Sequence, residues 1–308
     1  MKPQADIERE PLALRWRADA VLVAVTALWG ADFVVVKHLL AAVDPIALLF
    51  WRFAVAAVLL AALLPWRRRT PGLLVDGLVL GLLLALGMGL QVVGQVETTA
   101  SKAAFLTGLS AVLTPLAGYL RTRRLPTLEN GLGILLAGTG FAFLTFPAGG
   151  GPVNRGDLYV FACGVVFAFY IVELAERSGR HDSVWLAWIQ IAVVAVTAAV
   201  ALGWAGAVGG PATIARLAAS SPAFLIQVLF LAVVGTAATF TFQTWAQVHM
   251  SATHAAIIFT LEPVFTAAIA RWVLAERLAA RGWMGGILVL GGIVVSELRL
   301  RRASSPAG

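Results

Sequence analysis

Two carboxylates stand inside long apolar stretches of this chain, Asp32 in TALWGADFVVV and Glu262 in IIFTLEPVFTA. A charge centred in hydrocarbon costs roughly 2.5–3.5 kcal/mol on insertion scales, so such groups turn toward a partner or a water-filled cavity. Trp29 precedes Asp32 by three residues and shares its helical face, which sets an aromatic surface beside a group able to take up and release a proton. Two readings of Asp32 stay open: an unpaired cavity carboxylate, or one half of a structural ion pair with Lys37 or another base. Glu262 precedes Pro263, which frees the carbonyl of Ile258 or Phe259 and kinks the segment. Glu262 is either a second cavity carboxylate or the partner of a base from another segment. Asp32 and Glu262 are the two candidates for proton coupling.

Neutral polar residues extend this set. Gln91 and Gln95 share one face, and Gln243 and Gln247 share the equivalent face later in the chain. Amides can bond a zwitterion or a sugar-like solute without demanding a charge; the alternative is interhelical glue at about 0.6 kcal/mol per bond. Gln95 and Gln247 lie closer to turns than Gln91 and Gln243. Thr107, Ser110 and Thr114 fall at i, i+3 and i+7 as a polar stripe, although hydroxyls readily bond their own helix backbone. Tyr170 is a further cavity candidate, and its neighbour Glu173 is spaced to pair with Arg177. The substrate-binding set is therefore Trp29, Asp32, Gln91, Gln95, Thr107, Ser110, Tyr170, Gln243, Gln247 and Glu262. His249 and His254 flank a short turn without the further ligands a metal needs. The single cysteine, Cys163, lies in an apolar run and reads as a core residue. No metal and no cofactor is expected.

The elements that position these residues are membrane helices. Ten spans follow from hydropathy, near 20–40, 46–64, 72–95, 100–120, 129–147, 156–175, 184–204, 223–246, 253–274 and 283–299. Asp44-Pro45, Pro65, Pro126 and the run PAGGGP at 147–152 end or separate them. The chain also repeats itself. A gapless shift of 152 puts Gln91 on Gln243, Gln95 on Gln247, Gly133 on Gly285 and Gly140 on Gly292, and a shift of 138 puts Trp29 on Phe167, Asp44 on Asp182 and Arg52 on Gln190. The 14-residue difference places an insertion around Gly203 to Pro222. Five spans per half is odd, so the second half is inverted. The expected organisation is a cytoplasmic segment 1–19, a first repeat 20–147, a linker 148–155, a second repeat 156–299 and a cytoplasmic tail 300–308.

Composition agrees with an all-α integral membrane protein. The chain has 308 residues, is 60% hydrophobic and 13% charged, and has a mean hydropathy of +0.87; soluble domains carry about a quarter charged residues. The pI near 10.5 does not imply nucleic acid, because the basic residues sit at span ends and form no continuous face. With the N-terminus inside, inner segments hold 15 Lys and Arg, outer segments hold five, and Lys37, Arg52 and Arg271 lie within spans. That bias puts both termini in the cytoplasm of a bacterial inner membrane.

WGADFVVVK (29–37), DP with RF (44–45, 52–53), ETTASKAAFLTGL (97–109) and LEPVFTAAIARWVLAERL (261–278) resemble the EamA branch of the drug/metabolite transporter superfamily over nearly all of residues 20–299. The resemblance implies ten helices in two inverted five-helix repeats around a central cavity, and export of amino acids, other metabolites or drugs by alternating access. Two departures stand out. Asp32 replaces the Asn, Ser or Thr of many relatives, and Pro115 sits four residues beyond the position equivalent to Pro263. The expected partners are a small-molecule substrate and the lipid bilayer, with monomer and homodimer both open. The rival reading is a membrane-embedded enzyme acting on lipid or peptide, for which no G-x-S-x-G, H-E-x-x-H or paired aspartates in facing spans are present.

Overall fold

Runs of Leu, Ala and Val that lack water must bond every backbone N–H and C=O internally, and the helix is the element that does so within one segment. The computed structural model describes residues 11–64, 69–122, 128–145, 154–204, 221–250, 252–277 and 279–297, and among them there is no strand. In chain order the helices are α1 (Leu12–Leu39), α2 (Pro45–Ala61), α3 (Leu73–Glu97), α4 (Ala100–Thr122), α5 (Leu128–Thr145), α6 (Arg155–Arg177), α7 (Ser183–Trp204), α8 (Pro222–Ala246), α9a (Ala252–Phe259), α9b (Glu262–Val273) and α10 (Ala280–Glu297).

Among the described residues, seven helical segments are long and apolar enough to cross a bilayer, and α2 and the Gly131–Phe143 part of α5 are shorter apolar helices. At 1.5 Å per residue the 17 residues of α2 rise about 26 Å, short of the roughly 30 Å of hydrocarbon. The first helix starts at Leu12 rather than near residue 20, so Arg15, Arg17 and Asp19 are helical, and Asp19 meets His254 of α9a at 3.3 Å. The expected linker 148–155 lies outside the described residues up to position 153, as do most of the expected insertion, the tail 300–308 and several of the basic residues that set the orientation, Arg67, Arg68, Arg123, Arg124 and Arg216 among them.

Helix starts are set by side chains that accept the free N–H groups of the first turn. Asp44 accepts from Ile46 N and Ala47 N, both at 2.9 Å, ahead of α2. Asp182 accepts from Val184 N and Trp185 N at 3.0 and 3.2 Å ahead of α7. Glu276 reaches the start of α4, taking Ala100 N at 2.9 Å and the Ser101 hydroxyl at 2.7 Å. Proline acts differently in the two segments that carry it. Pro115 lies within the continuous α4. Pro263 follows a break at Thr260–Leu261, where Thr260 N and Leu261 N bond back to Ile257 O and Ile258 O, and α9b begins afresh at Glu262.

Small residues let the helices approach. A Cβ on Gly140 of α5 would stand 2.5 Å from the Gly285 carbonyl oxygen of α10, and one on Gly292 of α10 would stand 2.5 Å from the Gly133 carbonyl oxygen of α5. On α3, Gly77 and Gly81 receive Ile189 and Val193 of α7. Charged pairs sit near the helix ends: Arg177 bonds Glu173 and Asp76, His181 reaches Asp76 at 2.8 Å, and Lys102 bonds Asp157.

Candidate functional site

Asp32 of α1 is 5% exposed and Arg52 of α2 is 2% exposed, and Arg52 Nη1 donates to Asp32 Oδ2 at 2.7 Å. The guanidinium is occupied on its other sides as well, with Nε donating to Thr236 Oγ1 at 2.6 Å and Nη2 to the Gly235 carbonyl at 2.9 Å. Thr236 and Gly235 lie in a π-helical stretch of α8, Phe230–Ala238, whose wider turn is frequent at functional sites. The partner of Asp32 is thus Arg52. Lys37 instead donates to Gln95 O and Val96 O at 2.9 and 3.1 Å, the last carbonyls of α3. Asp32 Oδ1 has no hydrogen-bond partner and rests against Gly235, where a Cβ would collide with it. Trp29 joins the same assembly, its Nε1 donating to Thr239 Oγ1 at 3.1 Å while that hydroxyl donates to Gly235 O at 2.8 Å.

The shift of 138 carries this pair onto another. Tyr170 and Gln190 occupy the positions equivalent to Asp32 and Arg52, and Tyr170 OH donates to Gln190 Oε1 at 2.7 Å. A second correspondence involves the lower amides. Gln95 Nε2 donates to Phe33 O at 2.7 Å, and Gln247 Nε2 donates to Ile171 O at 3.4 Å; the donors differ by 152 and the acceptors by 138.

Between these contacts lies a cavity of about 60 Å³, walled by Trp29, Asp32, Phe33, Arg52, Met88, Gln91, Thr107, Gly108, Ser110, Phe167, Tyr170, Ile171, Phe240, Gln243, Phe259 and Glu262. At about 10–15 Å³ per water the space holds a handful of waters, and a larger solute needs the helices to part. Of the ten residues singled out by sequence, eight meet here: Trp29, Asp32, Gln91, Thr107, Ser110, Tyr170, Gln243 and Glu262. Gln95 and Gln247, each 1% exposed, lie outside it and bond main chain. Gln91 Nε2 reaches Thr107 Oγ1 at 3.4 Å, and Thr114 bonds back to Ser110 O at 2.8 Å, as hydroxyls in apolar helices do.

Glu262 is the least compensated member. It is 8% exposed, and among the described residues no hydrogen bond or ion pair engages its carboxylate. As the first residue of α9b it stands at the positive end of that helix's dipole. The apolar wall is aromatic, with the Trp29 ring centroid 5.5 Å from both Phe240 and Phe259.

Sequence reasoning passed over Arg52 as a site residue, although a lone cation inside an apolar span was a signal. Thr236, Thr239 and Gly235 carried none, since nothing in their spacing marks a π-helical stretch. Phe240, Phe259, Phe167 and Met88 were not singled out as site residues, since an apolar residue in an apolar span carries no mark of the point at which the fold gathers it.

Apolar helices of bilayer-crossing length gathered around a small aromatic-walled cavity with a few polar groups define a multi-pass membrane protein with an internal site. The chain belongs to the EamA-like transporter family, whose model matches residues 16–146 and 154–298, and with it to the drug/metabolite transporter superfamily. It is a membrane transporter. An uncharacterized transporter of Archaeoglobus fulgidus is 29% identical over 288 residues, covering 93% of this chain and 87% of its own length. A second uncharacterized transporter of that organism is 26% identical over 293 residues, covering 91% and 97%. A solved crystal structure shares the fold with a TM-score of 0.64 at 18% identity, over 94% of this chain and 99% of that one.

Proposed function

We propose that the chain is a secondary transporter that exports small amphiphilic metabolites, amino acids or drug-like solutes, across a bacterial inner membrane by alternating access. In this reading ten helices form two inverted five-helix repeats, 20–147 and 156–299, joined by the linker 148–155, with both termini cytoplasmic. The central cavity is the binding site. Asp32, held by Arg52, braces α1 against α2 and α8, and Glu262, which no cation among the described residues holds, is the group through which the proton gradient acts.

The observation that carries the reading is how the cavity is shared. Fourteen of its sixteen lining residues fall into seven pairs under the two register shifts. By 138 these are Trp29 with Phe167, Asp32 with Tyr170 and Phe33 with Ile171; by 152 they are Met88 with Phe240, Gln91 with Gln243, Thr107 with Phe259 and Ser110 with Glu262. A site drawn from both halves is where rocking of one half against the other would expose a solute first to one side and then to the other.

The test is uptake of a labelled amino-acid and antimicrobial panel into proteoliposomes with and without a pH gradient, for wild type, Asp32→Asn and Glu262→Gln. Gradient-driven transport that Glu262→Gln uncouples, with Asp32→Asn still coupled, supports the reading. Turnover of a lipid or peptide that persists in detergent, without sealed compartments, supports a membrane-embedded enzyme instead.

A further inference from the structure

The charges around the cavity do not cancel. Asp32 and Arg52 neutralise one another at 2.7 Å, which leaves Glu262 as the lining carboxyl without a counter-charge among the described residues. The lining cation among the described residues, Arg52, is already committed: three of its five N–H groups donate to Thr236, Asp32 and Gly235, and its charge is matched by Asp32. An anionic solute, or the carboxylate of a zwitterion, would therefore meet a lining cation whose charge Asp32 already balances, and Glu262 beside it, an arrangement that buried charges tolerate poorly. The wall has acceptors to spare. Glu262 is more than nine-tenths buried with its carboxylate unengaged among the described residues, and Gln243, 1% exposed, has an Oε1 without a partner. A primary ammonium brings three N–H donors and no acceptor, which is the complement of such a wall. The rings of Trp29, Phe240 and Phe259 add faces that attract a cation and cover an apolar body.

We propose that the solute of this cavity is a small monocationic amine, with Glu262 as its counter-charge and the rings of Trp29, Phe240 and Phe259 as the wall for its apolar part; the inference rests on reading the cavity as the transport site. The position equivalent to Glu262 in the first half is Ser110, on the same cavity. The negative charge is therefore supplied by one half alone, and selectivity for cations follows from one side chain.

The experiment uses three probes with the same phenyl body and different charge: phenethylamine, phenylalanine and 3-phenylpropionate. Binding of labelled phenethylamine to the full-length protein in nanodiscs is competed with the other two, and saturable uptake of each is followed in proteoliposomes. The inference predicts that phenylalanine and phenylpropionate compete at least about thirtyfold less well than unlabelled amine, and that Glu262→Gln weakens amine binding by a similar factor. The wild-type competition decides the charge preference whether or not the variant folds. Equal or better binding of either carboxylate, or amine binding that Glu262→Gln leaves unchanged, overturns the inference. If a carboxylate probe is bound and transported in preference, the transport site stands and the cation preference falls. If none of the three is bound or saturably transported, both fall.

Discussion

Arg52 donates to Asp32 over 2.7 Å between α2 and α1, at the positions where the other half of the chain has Gln190 and Tyr170, also 2.7 Å apart. The positions that the shift of 138 relates are thus braced once by an ion pair and once by a neutral hydrogen bond. A buried pair stabilises little relative to an apolar pair of equal volume, but losing one member leaves an uncompensated charge.

Removing only one partner should therefore be costly. Arg52→Met strands Asp32 and is expected to lose about 3–5 kcal/mol, read as a lowered unfolding midpoint in detergent. The double variant Asp32→Tyr with Arg52→Gln, which copies Tyr170 and Gln190, should recover most of that loss. A double variant as unstable as Arg52→Met contradicts the equivalence of the two positions.

On the other half, Tyr170→Phe removes the donor to Gln190 Oε1. Hydrogen bonds between membrane helices average about 0.6 kcal/mol and reach about 1.7, so the loss should fall in that range and stay well below that of Arg52→Met. A thermal-melt comparison of the two variants under one condition checks the order.

Gly235 is pressed against Asp32 and lends its carbonyl to Arg52. Gly235→Ala inserts a methyl where Oδ1 of Asp32 sits and should cost about 1–3 kcal/mol, as overpacking does. Gly138, inside α5 with open space around its Cβ position, is the control, and Gly138→Ala should not lower the melting temperature.

Glu276 holds the start of α4 through Ala100 N, Ser101 N and the Ser101 hydroxyl. Glu276→Ala should destabilise by about 0.5–2 kcal/mol, the range for a lost helix cap, and should raise amide exchange at Ala100 and Ser101 above that in the middle of α4. Unchanged exchange there would remove Glu276 from this role.

How much of this was legible in sequence depends on the range of the interaction. Asp44-Pro45 marked a boundary between spans, and the cap that Asp44 forms there on α2 works over two or three residues. The Glu173–Arg177 pair was readable for the same reason. The two register shifts picked out the equivalent amides, and Gly133, Gly140, Gly285 and Gly292 meet as their spacing allowed. What eluded the sequence was pairing between helices. Lys37, five residues from Asp32 and turned only partly toward it, was the base that could be named, with another base left open, and Arg52, twenty residues away on α2, takes that place. Which faces of two helices meet is decided by packing, and periodicity within either helix carries no record of it. The break at Thr260–Leu261 could be anticipated from Pro263, whereas the π-helical stretch around Gly235 has no residue pattern of its own.

The central claim is that the cavity between the two halves is where solute passes, and thiol access tests it most directly. Cys163 is the chain's single cysteine and is buried, so a Cys163→Ala background leaves a thiol only where one is introduced. Ser110→Cys on the cavity wall is compared with Val196→Cys, a 62% exposed position on the outer surface of α7. The account predicts that a small methanethiosulfonate ethylammonium reagent modifies Ser110→Cys, that modification stops transport, and that transported solute slows it, while modified Val196→Cys still transports. Transport that continues at the unmodified rate with position 110 fully modified would contradict the account.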